Sequence, residues 1–163
     1  MKSIVIAISL FFATLTWGET MNSANVESIK KFYNETTKEN MKPVIDFYDP
    51  SVKFEDPVGK HEGRDSLLKY YENLYQNVKE IRFDFTGFVE NGKTVVAIWR
   101  MTLKTDKLNG GEAFTVDGNS VITFNDGGKA VYHRDYFDMG EFIYERVPVV
   151  GFLTRKIKER LKE

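Results

Sequence analysis

The chain has 163 residues, no cysteine, 23 basic against 24 acidic side chains and 42% apolar residues. That fits one globular domain with a sizeable core. A formal net charge of −1 excludes a broad basic surface for nucleic acid, and zero cysteines exclude disulfides, thiolate metal sites and cysteine nucleophiles.

Residues 1–18 carry Lys2 as the only early charge, an apolar run over 3–17, and Thr16-Trp17-Gly18 before Glu19. This pattern predicts a secretory signal peptide cleaved near Gly18, because the run is shorter than the roughly 20 residues that span a bilayer. The mature chain is then expected to be periplasmic or secreted, with a single domain over 19–140 and a helical extension over 141–163. Apolar positions at Val26, Ile29 and Phe32/Tyr33 predict a helix over 26–38, and Pro43 opens a second, short one over 43–48. Val52, Phe54 and Asp56 alternate with polar neighbours until Pro57, which predicts a short strand with Asp56 on its apolar side, followed by a loop over 58–63. Leu67, Leu68, Tyr71, Leu74, Tyr75 and Val78 then keep a helical period and predict a helix over 64–77.

From Ile81 onward the period is two. Strands are expected from residue 81 and over 94–105, 113–124 and 129–137, separated by Asn91-Gly92 and Asp126-Gly127-Gly128 turns. Helices followed by a run of strands define an α+β domain, with the helices packed on one face of a curved antiparallel sheet. The tail returns to helical spacing at Val150, Leu153, Ile157 and Leu161, flanked by Arg155, Lys156, Lys158, Arg160 and Lys162. Such a stripe can rest on an anionic membrane surface, but packing against the sheet or a second subunit is the favoured reading.

The stretch Phe54-Glu55-Asp56-Pro57-Val58-Gly59, then Gly63-Arg64-Asp65 and Tyr70-Tyr71, resembles the bacterial ketosteroid isomerases. Arg134-Asp135-Tyr136-Phe137-Asp138 resembles the corresponding strand of limonene-epoxide hydrolases. Both resemblances, together covering residues 26–142, point to the SnoaL-like, nuclear transport factor 2-like superfamily of cone-shaped folds. They imply a conical pocket for a small apolar molecule and a sheet-to-sheet homodimer.

Carried over from the isomerases, Asp56 corresponds to a general base that moves a proton between carbons next to a carbonyl. Tyr48 and Tyr71 correspond to tyrosines behind the oxyanion hole, whose two direct donors are replaced by Phe32 and Ser120. From the hydrolases, Asp135 matches the aspartate base and Arg100 the bridging arginine. The acid position reads Thr102, and the water-orienting pair reads Phe54 and Asp56. Strand alternation sets Arg100 with Thr102, Phe54 with Asp56, and His133 with Asp135 on shared faces.

The combined expectation is a cavity holding Asp56, Arg100 and Asp135, with His133 beside them, in which two carboxylates share an arginine unequally and act as acid and base. Plainer readings make Asp56 a turn former, Arg100 and Asp135 a buried ion pair, and His133 a hydrogen-bonded strand histidine. His61 is expected on the loop near the pocket mouth. Neither metal nor cofactor is expected, since two widely spaced histidines make no ligand set and no nucleotide-binding fingerprint is present. The expected function is ligand binding with isomerase, lyase or hydrolase chemistry; the alternative is a non-catalytic ligand-binding or protein-interaction module.

Overall fold

A computed structural model describes residues 24–161, and the expected signal peptide lies outside them. Helices α1 (Ala24–Glu35) and α2 (Lys42–Phe47) are followed by strands β1 (Tyr48–Glu55) and β2 (Lys60–Glu62), then by helix α3 (Arg64–Tyr75). Strands β3 (Val78–Asn91), β4 (Thr94–Thr105), β5 (Phe114–Phe124) and β6 (Ala130–Phe137) come next, and α4 (Met139–Phe142), a 3-10 turn (Tyr144–Arg146) and α5 (Pro148–Arg160) finish the chain.

The strands form one sheet in the order β2-β1-β6-β5-β4-β3. β3 to β6 make the expected antiparallel meander, but β1 lies parallel to β6, so the sheet is not purely antiparallel. Register shifts between Phe85 and Gly87 and between Val78 and Glu80 mark irregularities in β3, the kind of feature that bends a strand and curves a sheet. The concave side takes the helices. Val26, Ile29, Phe32 and Tyr33 of α1, Val44 and Phe47 of α2, and Leu67, Tyr71 and Tyr75 of α3 are all buried with the inward residues of β4 and β5. Phe32 and Phe47 stack with centroids 4.5 Å apart and tie the two N-terminal helices together.

Local chemistry moves several boundaries. α1 stops at Glu35, not at residue 38, because the Asn40 side-chain amide donates to the Glu35 carbonyl at 3.1 Å and Thr37 and Asn40 exchange backbone hydrogen bonds. The segment expected as a loop over 58–63 contains β2, which pairs with the end of β1. α5 packs chiefly on the 3-10 turn before it. Its apolar stripe is therefore not covered by the sheet, which removes that half of the favoured sequence expectation and leaves the second subunit.

Candidate functional site

Alternation along the strands decides which side chains enter the cone. β4 turns Trp99, Met101 and Leu103 inward, β3 turns Ile81 and Phe83, and β6 turns His133, Asp135 and Phe137. Facing them are Phe32 and Tyr33 from α1, Phe54 from β1, and Tyr70, Tyr71, Leu74 and Tyr75 from α3. The space they enclose is about 370 Å³, within the range of pockets for small molecules. Asp56 and Asp135 both lie on its wall, among mostly apolar neighbours.

Asp135 is the focus of a buried hydrogen-bond network. Its Oδ1 accepts from Ser120 Oγ at 2.5 Å and lies 2.8 Å from His133 Nε2 and 3.4 Å from the Tyr33 hydroxyl. Ser120 Oγ in turn accepts from Trp99 Nε1 at 2.8 Å and lies 2.6 Å from the Tyr33 hydroxyl. His133 is fully buried; its Nδ1 lies 2.6 Å from the Tyr48 hydroxyl, which lies 3.0 Å from that of Tyr71. One proton arrangement satisfies every member when Asp135 is a carboxylate: His133 donates from Nε2 to Asp135, Tyr48 donates to Nδ1, and Tyr71 donates to Tyr48. Ser120 then accepts hydrogen bonds from Trp99 and Tyr33 and donates its own to Asp135.

The tyrosines are held as neutral donors. Burial, reinforced by the nearby Asp135 charge, pushes the Tyr33, Tyr71 and Tyr75 phenols well above their ordinary range. Tyr48 is raised by burial and then by its tyrosine neighbours. All of the hydrogen bonds to the Asp135 carboxylate fall on Oδ1 among the described residues, and its side chain keeps 15% exposure. Oδ2 accepts no hydrogen bond among the described residues.

Asp56 is held differently. Its Oδ1 accepts from the backbone N–H groups of Val58 and Gly59 at 2.8 and 2.7 Å, closing the turn after β1, and its Oδ2 accepts from the Tyr70 hydroxyl. Burial and this hydrogen bond raise the Tyr70 phenol far above its ordinary value. The His61 ring stacks on Tyr70 at 4.2 Å, beside the cavity wall. The turn-forming reading of Asp56 and its place on the wall thus hold together.

The expected arginine is absent from this cavity. Arg100 points out of the cone and forms a two-pronged pair with Asp117 on β5, at 2.7 and 2.9 Å, both side chains more than half exposed. Thr102 shares that outer face. No Asp-Arg-Asp set is assembled. The expected inner residues Phe32, Phe54, Tyr48, Tyr71, Ser120 and His133 are all buried in or behind the wall. Sequence reasoning gave Trp99 and Tyr70 no site role, although Tyr70 stands in the Tyr70-Tyr71 motif. Among the described residues, no group of three or more His, Asp or Glu side chains converges to hold a metal.

An α+β cone with a carboxylate-bearing apolar cavity has the nuclear transport factor 2-like fold. The SnoaL-like domain model matches residues 29–133, and the chain belongs to that family. Solved structures agree on the fold. An NTF2-like protein of unknown function from Burkholderia pseudomallei is 22% identical, with TM-score 0.65 over 74% of this chain and 95% of that one. TerC, co-crystallised with polyporic acid, is 23% identical, with TM-score 0.63 over the same shares. An NTF2-like protein of unknown function from Exiguobacterium is 20% identical, with TM-score 0.58 over 71% of this chain and 98% of that one. The comparison with curated proteins finds no match.

Proposed function

We propose that the chain binds a small, largely apolar molecule in the cone and carries out acid–base chemistry on it, with Asp135 as the group that takes or returns the proton. The observation that carries this reading is the asymmetry at Asp135: Oδ1 is fixed by Ser120 and His133, and no hydrogen bond claims Oδ2 among the described residues. A base must be oriented before it can act, and two buried side chains orient this one through Oδ1 alone. Asp56 has a supporting role, holding the turn and the Tyr70 hydroxyl at the wall. With Arg100 outside, the chemistry rests on one carboxylate and its histidine, as in an isomerase or lyase that moves a proton on carbon, or a hydrolase that activates water. The apolar run over 3–17 supports the further proposal that the protein works outside the cytoplasm.

The test is a panel of enones, hydroxy-ketones and epoxides, scored for thermal-shift binding and for turnover with the wild type and Asp135→Asn. Asparagine keeps shape and hydrogen bonding but cannot accept the proton, so turnover should fall at least about a hundredfold with affinity within about tenfold. Turnover that survives in Asp135→Asn rejects Asp135 as the base. Binding without turnover, in wild type and variant alike, assigns the cone to a binding module.

A further inference from the structure

We infer that α5 is a docking helix for an anionic lipid surface. Its two long sides differ in chemistry. One side is committed to the 3-10 turn: a Cβ on Gly151 would lie 2.3 Å from the Glu145 carbonyl oxygen, Arg155 Nη1 donates to that same oxygen at 3.1 Å, and Lys158 pairs with the Glu145 carboxylate. The other side carries Val149, Leu153, Ile157 and Leu161 at four-residue spacing, 72%, 55%, 60% and 82% exposed. Lys156 and Arg160, also four apart, run beside that row and form no ion pair among the described residues; Lys156 lies 5.8 Å above the Phe152 ring. An exposed apolar row edged with unpaired cations is the surface signature of a helix lying in a membrane interface.

Charge and size select lipid over protein as the occupant. A second copy of α5 laid on the row would bring its own Lys156 and Arg160 to the same seam, four cations in all. At 1.5 Å per residue the helix is about 20 Å long, so the row is a narrow strip, whereas a stable protein interface buries about 800 Å² per partner. A lipid surface requires no such area. It takes up the apolar side chains while the Lys and Arg heads reach anionic headgroups. No helix among the described residues is long and apolar enough to cross a membrane, so the contact is peripheral. The helix starts shortly after Phe142 and Ile143, which line the cavity, and the lipid contact therefore lies close to the cone.

The chain from Glu19 carries all of the described fold and omits the apolar run over 3–17, which makes it the form to assay. It is sedimented with vesicles of phosphatidylcholine alone or mixed with phosphatidylglycerol. Binding should require phosphatidylglycerol and weaken with salt. Leu153→Glu with Ile157→Glu, and separately Lys156→Glu with Arg160→Glu, should each reduce it by roughly tenfold or more, with circular dichroism unchanged because all four side chains are exposed. Failure of the wild type to bind anionic vesicles, or equal binding by either double variant, overturns the inference. A dimer in sedimentation velocity that the Leu153→Glu, Ile157→Glu variant dissociates, with no vesicle binding, assigns the row to a second copy instead.

Discussion

Trp99 and Gly118 face each other across β4 and β5, and the indole lies directly over the glycine. A Cβ on residue 118 would stand 2.3 Å from the far edge of the ring, closer than real Cβ contacts come. The missing side chain lets the ring pass over the strand and its Nε1–H reach Ser120, the residue whose hydroxyl donates to Asp135. A backbone position two residues away thus helps set the carboxylate.

Gly118→Ala should therefore damage more than its size suggests. The ring must move, and overpacking of this kind costs about 1–3 kcal/mol. In the chain from Glu19, Trp99 is the only tryptophan, so its emission reports the displacement directly. A red shift together with a lower urea midpoint is expected, whereas an unchanged spectrum at unchanged stability would show that the indole does not need the glycine.

The buried phenols give the fold an alkaline limit. Tyr33, Tyr48, Tyr71 and Tyr75 hold their protons far beyond the ordinary value of about 10, mainly because burial disfavours the phenolate. Below that pH the folded and unfolded states both keep these protons, and the stabilisation is fully present. Above it the unfolded chain has lost them while the native state has not, so stability falls as pH rises, by about 1.4 kcal/mol per pH unit for each tyrosine. Urea midpoints should drop between about pH 9 and pH 11, and Tyr75→Phe should make the drop shallower. Equal slopes for the two proteins would show that Tyr75 is not held neutral by the fold.

What could be read from the sequence followed the local signals. The helical period of α3 placed Tyr71 on its buried side, and the two-residue spacing of His133 and Asp135 in β6 put them on one face although that strand carries apolar residues on both sides. β4 is different. Its outer row contains Val96 and Ile98 as well as Thr94, Arg100, Thr102 and Lys104, so apolar residues occupy both faces and the pattern alone reads either way. The resemblance to the epoxide hydrolases then drew Arg100 inward by one residue, and in a strand one residue is a change of face. The parallel pairing of β1 with β6 joins segments far apart in the chain and has no local signature. The tail's amphipathic character was legible, but its partner is a tertiary matter.

Arg100 should accordingly matter little to the cone. Its pair with Asp117 holds that carboxyl below the usual range, yet both groups stand in solvent, where screening leaves such pairs weak. Arg100→Ala should shift the melting temperature by no more than about 2 °C. Affinity for any molecule that binds the cavity should be unchanged. A loss of binding would mean that the arginine reaches the cone in a conformation other than this one.

Asp56 and Asp135 line one cavity, but the hydrogen bonds around them separate their roles. Asp56 accepts two backbone N–H groups on Oδ1 and the Tyr70 hydroxyl on Oδ2, so both of its oxygens are occupied by the protein. Asp56→Asn keeps an oxygen for the two backbone donors, and its amide can donate to the Tyr70 oxygen; stability should change by less than about 1 kcal/mol. Asp56→Ala removes every acceptor at once and strands two amides and a half-buried phenol, at a cost of about 1–3 kcal/mol. The same pair of variants tests chemistry. If Asp135 is the base, Asp56→Asn retains turnover within about tenfold, while Asp135→Asn loses it; Tyr70→Phe, which removes the hydroxyl and leaves the turn intact, should resemble Asp56→Asn. Equal loss in Asp56→Asn and Asp135→Asn, with both proteins folded and both still binding, would mean that the two carboxyl groups exchange the proton between them and that the turn around Asp56 opens during the reaction.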